Sequence, residues 1–162
     1  MLKINSLLFD GHKILAESRT KSPKLDAEVL LSSVLNKDLK EIIIKKKLNI
    51  NQSNINKFKE LIRRRKCGEP IAYILKKKEF WKYNFYVDCN VLIPRPDTEV
   101  IVEETLKILN NNKKYFVLDV GTGSGCIIIS LANERLNLMC TAIDISKKAL
   151  KVAKINAKMH QL

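Results

Sequence analysis

Val117-Leu118-Asp119-Val120-Gly121-Thr122-Gly123-Ser124-Gly125-Cys126-Ile127-Ile128-Ile129 reads as a buried strand, a glycine hinge and an apolar helix in succession. An α/β protein opens a nucleotide pocket in that order, at the carboxyl end of its first strand. The glycines fall as Gly121-x-Gly123-x-Gly125. A dinucleotide loop of the hydride-transfer type wants G-x-G-x-x-G, with its third glycine at 126, where Cys126 stands. The spacing present lets a backbone pass close to a ligand without the pyrophosphate geometry. The competing reading is a tight turn in any α/β domain; three glycines directly after an apolar strand weigh against it.

Downstream the pattern repeats. Strands are expected at Tyr115–Val120 and Met139–Asp144, helices at Ser124–Arg135 and Ser146–His160. Consecutive βαβ units imply a parallel sheet. Asp144 closes the second strand, 23 positions after Gly121 and behind the buried-looking run Cys140-Thr141-Ala142-Ile143. A carboxylate there accepts both hydroxyls of a ribose; its structural alternative is a helix N-cap, for which Ser146 competes. Asp119 lies inside an apolar strand and needs hydrogen bonds to be tolerated, with the backbone N–H groups of the loop as expected donors.

Upstream, residues 1–68 read as four short helices. Leu7, Leu8, Ile14 and Leu15 recur at helical spacing. Ser22-Pro23 starts a second helix, with Asp26 and Glu28 in its first turn and Leu25, Val29, Leu30 and Leu35 along it. A short segment follows around Ile42–Ile44. Asn51 or Ser53 caps a helix carrying Ile55, Phe58, Leu61 and Ile62, closed by Arg63-Arg64-Arg65-Lys66 and Gly68. Glu69-Pro70 breaks it. Phe80, Trp81, Tyr83, Phe85, Tyr86 and Val87, grouped around Asn84, read as a hairpin. Leu92-Ile93-Pro94-Arg95-Pro96-Asp97 is held extended by its prolines. Helix resumes near Asp97 with Val100, Ile101, Leu106 and Leu109 as its apolar stripe, and Asn110-Asn111-Asn112 ends it.

Composition bounds the function. No apolar run approaches the roughly 18 residues of a membrane span, and Met1-Leu2-Lys3-Ile4-Asn5 lacks a signal peptide's apolar region. A cytoplasmic setting is expected. Cys67, Cys89, Cys126 and Cys140 are scattered, and His12 and His160 lie at opposite ends, so no metal site is expected and the thiols read as free and buried or half-buried. The net charge of +13 favours anionic partners such as RNA. Yet Lys, Ile and Asn are abundant throughout, and runs such as Lys45-Lys46-Lys47 and Lys76-Lys77-Lys78 are the ordinary makings of solvated faces. Charge alone does not establish nucleic-acid binding.

Four segments together carry a resemblance. They are Arg63-Arg64-Arg65-Lys66-Cys67-Gly68-Glu69-Pro70-Ile71-Ala72-Tyr73, Glu79-Phe80-Trp81, Leu92-Ile93-Pro94-Arg95-Pro96-Asp97-Thr98-Glu99 and Leu118-Asp119-Val120-Gly121-Thr122-Gly123-Ser124-Gly125. In these the chain resembles the release-factor glutamine methyltransferases, the family long called HemK or PrmC. The glycine loop alone is common to many methyltransferases that use S-adenosylmethionine; the Ile-Pro-Arg-Pro-Asp-Thr-Glu segment is much more specific.

The resemblance implies an α/β fold. It has a small helical bundle over 1–68 for substrate recognition and a β-hairpin linker over 69–96. Over 97–162 comes the first part of a Rossmann-like methyltransferase domain. It implies that Gly121, Thr122, Gly123, Ser124 and Gly125 wrap the methionine end of S-adenosylmethionine and that Asp144 binds its ribose. Arg95–Glu99 would join the domains near the pocket. The partner implied is a peptide-chain release factor, methylated on the side-chain amide nitrogen of its Gly-Gly-Gln glutamine.

The family's catalytic Asn-Pro-Pro-Tyr motif does not occur between residues 1 and 162, so no catalytic residue is assigned. The expectation is an incomplete chain, ending about two βα units into the domain, with weak or no cofactor binding and no turnover by itself. Two alternatives stand beside this reading: a nucleic-acid adenine-amino methyltransferase, and a non-catalytic fragment that binds a release factor.

Overall fold

The computed structural model describes residues 2–44, 49–110 and 113–162. Lys45–Lys47 and Asn111–Asn112 lie outside them. The chain divides into two compact units, Met1–Leu75 and Lys76–Leu162.

The first unit is built on helices α1 (Ile4–Ala16), α2 (Pro23–Leu35), α3 (Leu39–Ile44), α4 (Gln52–Lys66) and α5 (Ile71–Leu75). A short antiparallel ribbon pairs β1 (Leu2–Lys3) with β2 (Asn49–Ile50). Pro23 pre-sets the first turn of α2, and Asn36, left-handed at φ 49°, ends it by donating its N–H to Ser32 and Ser33 carbonyls. Asn51 caps α4 through its side chain, accepting from Asn54 N at 2.8 Å. The core joins Leu7 and Leu15 of α1, Leu30 and Leu31 of α2 and all four apolar residues expected on α4. Gly11 lets α1 approach α4: a Cβ there would lie 2.7 Å from Phe58 Cζ. Leu25 and Ile14, expected on apolar faces, are exposed.

The break at Glu69-Pro70 is real but does not start the linker. Pro70's carbonyl accepts from Tyr73 and Ile74 N–H groups and opens α5, whose Ile74 enters the helical core. Arg64 grips the Glu69 carboxylate through its Nε and Nη2, and Arg65 bonds the Glu69 carbonyl at 3.0 Å and Asp26 at 2.7 Å. The helical unit therefore ends at Leu75 and not at 68, and residues 69–96 divide between the two units.

The second unit contains β3 (Lys78–Phe80), β4 (Tyr83–Phe85), α6 (Glu99–Ile108), β5 (Tyr115–Val120), α7 (Cys126–Glu134), β6 (Leu138–Ile143) and α8 (Lys147–Met159). Strands β3 and β4 form the expected hairpin, turning at Trp81-Lys82, with Asn84 inside β4. Strands β5 and β6 pair in parallel, Tyr115 opposite Leu138 and Val120 opposite Ile143. The core draws Phe80 and Phe85 from the hairpin, Val102 from α6, and Cys126, Ile128, Ile129 and Leu131 from α7.

Two burial expectations are corrected. On α6 the buried stripe is Val102 with Leu106; Val100 and Ile101 face solvent. The strands expected to be buried are covered on one face only. Phe116, Leu118 and Val120 alternate outward from β5, and Met139, Thr141 and Ile143 lie opposite them on β6, all exposed. A parallel sheet is apolar on both faces because helices normally cover both; here α7 packs against one. Of the thiols only Cys126 is buried, and Cys67, Cys89 and Cys140 are exposed.

Two carboxylates fix the hairpin to the rest of the second unit. Glu134, at the end of α7, accepts from Trp81 Nε1 at 3.0 Å, Tyr83 OH at 3.1 Å and Lys82 Nζ at 3.0 Å. The Lys82 ammonium, helped by the other donors, holds its carboxyl below the usual glutamate range. Glu99 accepts the Trp81 backbone N–H at 2.9 Å. Trp81 sits at φ 55°, a conformation uncommon for a bulky residue, and these bonds hold it there.

Candidate functional site

The glycine loop occupies the carboxyl end of β5, beside the carboxyl end of β6. Gly121, Gly123 and Gly125 have φ of 82°, 55° and 79°, a region L-residues rarely enter. At Gly121 and Gly123 a Cβ would meet nothing within 4 Å, so their backbone faces open space. At Gly125 a Cβ would lie 2.8 Å from Ile129 Cδ1 and 3.4 Å from Ala153 Cβ, which seats the start of α7 closely against α8.

Three bonds tie the loop to the end of β6. Gly121 N and Thr122 N both donate to the Ile143 carbonyl, at 2.9 and 3.0 Å. Gly123 N donates to Asp144 Oδ2 at 2.9 Å. The other oxygen of Asp144 accepts from Ser146 N at 2.8 Å. Those two N–H groups, Ser146 first, hold the Asp144 carboxyl below the usual range, so it is charged at neutral pH. Ser146 is the cap of α8, accepting from Ala149 N at 3.2 Å. The competition between Asp144 and Ser146 for the cap is thus settled, which leaves Asp144 as a carboxylate beside the loop. Each of its oxygens has one lone pair still to offer.

The loop's own side chains point inward. Thr122 is 6% and Ser124 3% exposed. Asp119 accepts from the Thr122 hydroxyl at 2.7 Å. That hydroxyl takes the place of the expected loop amides, because two of those amides are spent on Ile143. Burial pushes the Cys126 thiol up, so it stays protonated and inert.

The structure therefore brings Gly121–Gly125 and Asp144 together. Arg95–Glu99 does not join the two units: Arg95 leads into a 3-10 turn, Pro96–Thr98, inside the second unit, and Glu99 is spent on the hairpin. Two residues escaped sequence reasoning. One is Glu134. The other is Asn156, a fully buried polar residue on α8 whose side-chain amide reaches both Tyr86 and Ser124. Its only sequence signal is an asparagine between apolar positions of a helix. Among the described residues no cluster of His, Cys, Asp and Glu is arranged to hold a metal, and no helix is long and apolar enough to cross a membrane.

Comparison with known proteins bears on both units. Residues 6–75 match the family described as PrmC N-terminal domain, and residues 111–162 match a methyltransferase domain family. The release factor glutamine methyltransferase of Coxiella burnetii is 45% identical over 143 residues, covering 88% of this chain and 52% of that protein. One from Buchnera aphidicola is 44% identical over 141 residues, 87% of this chain and 51% of the relative. A bifunctional methyltransferase of Rickettsia prowazekii is 38% identical over 172 residues, 95% of this chain and 33% of the relative. The chain spans about half the length of the release factor methyltransferases it matches.

Proposed function

We propose that this chain, which is similar to release factor glutamine methyltransferases over about half of their length and matches the PrmC N-terminal domain and a methyltransferase domain, supplies the methyl-donor cradle and the substrate-holding helical unit of such an enzyme. The donor is S-adenosylmethionine. When bound, its sulfonium would supply an activated methyl group for in-line displacement. The chain's own residues bind and orient. Gly121 and Gly123 leave their backbone open to the methionine end, with Thr122, Ser124 and Gly125 completing the cradle. The charged Asp144, with lone pairs still free, would accept the ribose hydroxyls. The reading rests on one observation above all: the ionised Asp144 and the open glycine backbone are held together, at the carboxyl ends of two parallel strands.

The acceptor is the glutamine amide of a release factor's Gly-Gly-Gln. Amide nitrogen is a poor nucleophile, so the reaction needs positioning and polarisation of that amide. No Asn-Pro-Pro-Tyr is present in residues 1–162 to do this. The 162-residue chain by itself therefore does not turn over. Incubation with release factor and labelled S-adenosylmethionine tests this: no methyl incorporation is expected, and labelled glutamine would refute it. Backbone NMR with S-adenosylhomocysteine tests the cradle. Shifts are expected at Gly121–Gly125 and Asp144–Ser146, and a footprint elsewhere would overturn the assignment.

A further inference from the structure

Asn156 is completely buried on α8 and makes three hydrogen bonds with one side chain. Its Oδ1 accepts from Tyr86 N at 2.6 Å. Its Nδ2 donates to the Tyr86 carbonyl at 2.9 Å and to the Ser124 carbonyl at 2.8 Å. The amide thus uses both donors and its acceptor on two backbone segments far apart in sequence. One segment leads out of the hairpin. The other is the glycine loop.

We propose that Asn156 is the positioning residue of the glycine loop: it fixes the Ser124–Gly125 peptide, and through it the open backbone at Gly123, before any cofactor arrives. The function of that fixed geometry rests on the cofactor reading above; the positioning itself does not. Ser124 lies between two glycines, each of which has many conformations to lose. Asp144 holds the loop from the strand side, at Gly123. Asn156 holds it from the helix side, one residue on. Without that second hold the Ser124–Gly125 peptide keeps only its N–H bond to the Thr122 carbonyl at 2.8 Å, within the loop itself, and nothing ties its carbonyl to α8. Apolar packing does not supply the same restraint, because a buried carbonyl without a donor is itself costly. An asparagine, planar and able to donate twice while accepting once, fits these three backbone groups. An aspartate of the same shape would turn an acceptor toward two carbonyl oxygens.

The test uses the 162-residue chain without ligand. Amide hydrogen exchange is followed at Gly123, Gly125 and, as reference, the β5 ladder, in wild type, N156D and N156A. Exchange at Gly123 and Gly125 is expected to rise about tenfold or more relative to β5, from the loss of a buried hydrogen bond. A uniform rise at all amides, or none, overturns the proposal, since a merely structural residue would move the reference equally. If neither variant folds, wild type decides: scalar coupling across the hydrogen bond between Asn156 Nδ2 and the Ser124 carbonyl is expected, and its absence overturns the proposal. Titration with S-adenosylhomocysteine separates the two readings. No shift at the loop in wild type, with faster exchange in N156D, would sink the cofactor reading and leave the positioning role standing. Loop shifts equal in wild type and N156D, with unchanged exchange, would do the reverse.

Discussion

Replacing Gly125 with alanine should be the most damaging single change in the glycine loop. Two costs add. The backbone stands at φ 79°, where an L-residue pays roughly 1–2 kcal/mol. The new Cβ would also lie 2.8 Å from Ile129 Cδ1 and 3.4 Å from Ala153 Cβ. Ile129 is 4% exposed and Ala153 7%, and both line a cavity beside Gly125 into which the Ile129 Cδ1 would have to turn. Overpacking of this kind costs about 1–3 kcal/mol. The sum is roughly 2–5 kcal/mol. Gly123→Ala provides the control, because its φ of 55° carries the backbone cost while its Cβ would meet nothing within 4 Å. The only tryptophan, Trp81, lies in the second unit, so its fluorescence in urea reports that unit's unfolding. G125A should lower the stability about 1–3 kcal/mol more than G123A does. Equal losses in the two variants would refute the argument that close approach of α7 to α8 is what requires glycine at 125.

The other predictions divide between the two units. Gly11→Ala would bring a Cβ within 2.7 Å of Phe58 Cζ and 3.2 Å of Ile62 Cδ1; a loss of about 1–3 kcal/mol is expected in helical circular dichroism, with the Trp81 transition unchanged. Glu134→Gln keeps an acceptor but removes the charge that Lys82, Trp81 and Tyr83 share; about 1–2 kcal/mol should be lost from the Trp81 transition at neutral pH. Because the folded carboxyl of Glu134 titrates below its unfolded value, its contribution is complete above the ordinary glutamate range and is lost as pH falls through the lowered folded value. E134Q should flatten that acid limb, and an unaltered limb would contradict the assignment. Asp144→Asn leaves one acceptor where two N–H groups now bond; it should cost about 1 kcal/mol and abolish cofactor-induced shifts at Gly123.

Local chemistry was readable wherever one element decides it. The four apolar residues of α4 are all buried and its cap is Asn51, because helical spacing and a polar cap are properties of the segment alone. Strand β5 has the bounds its apolar run implied. The glycine loop and Asp144 come together because parallel strands place successive carboxyl ends side by side. What sequence could not reveal depends on partners. Val100 and Ile101 are as apolar as Val102, and only the position of the hairpin and α7 decides that Val102 is covered. Periodicity shows that β5 and β6 have two apolar faces; it does not show that one is bare. Asn156 and Glu134 were invisible for the same reason, since their donors and acceptors lie some 50 or more residues away, apart from Ser124.

The most direct test reconstitutes a full-length protein. Residues 1–162 would be joined to the part of the Coxiella burnetii relative that the match, covering 52% of that protein, does not reach. S-adenosylmethionine would be added with a release factor, and separately with DNA and RNA, and the products read by mass spectrometry. The account predicts one methyl group on the glutamine of Gly-Gly-Gln, lost in D144N and G123A. Methyl transfer to nucleic acid and not to the release factor, or glutamine methylation that survives both substitutions, would contradict it.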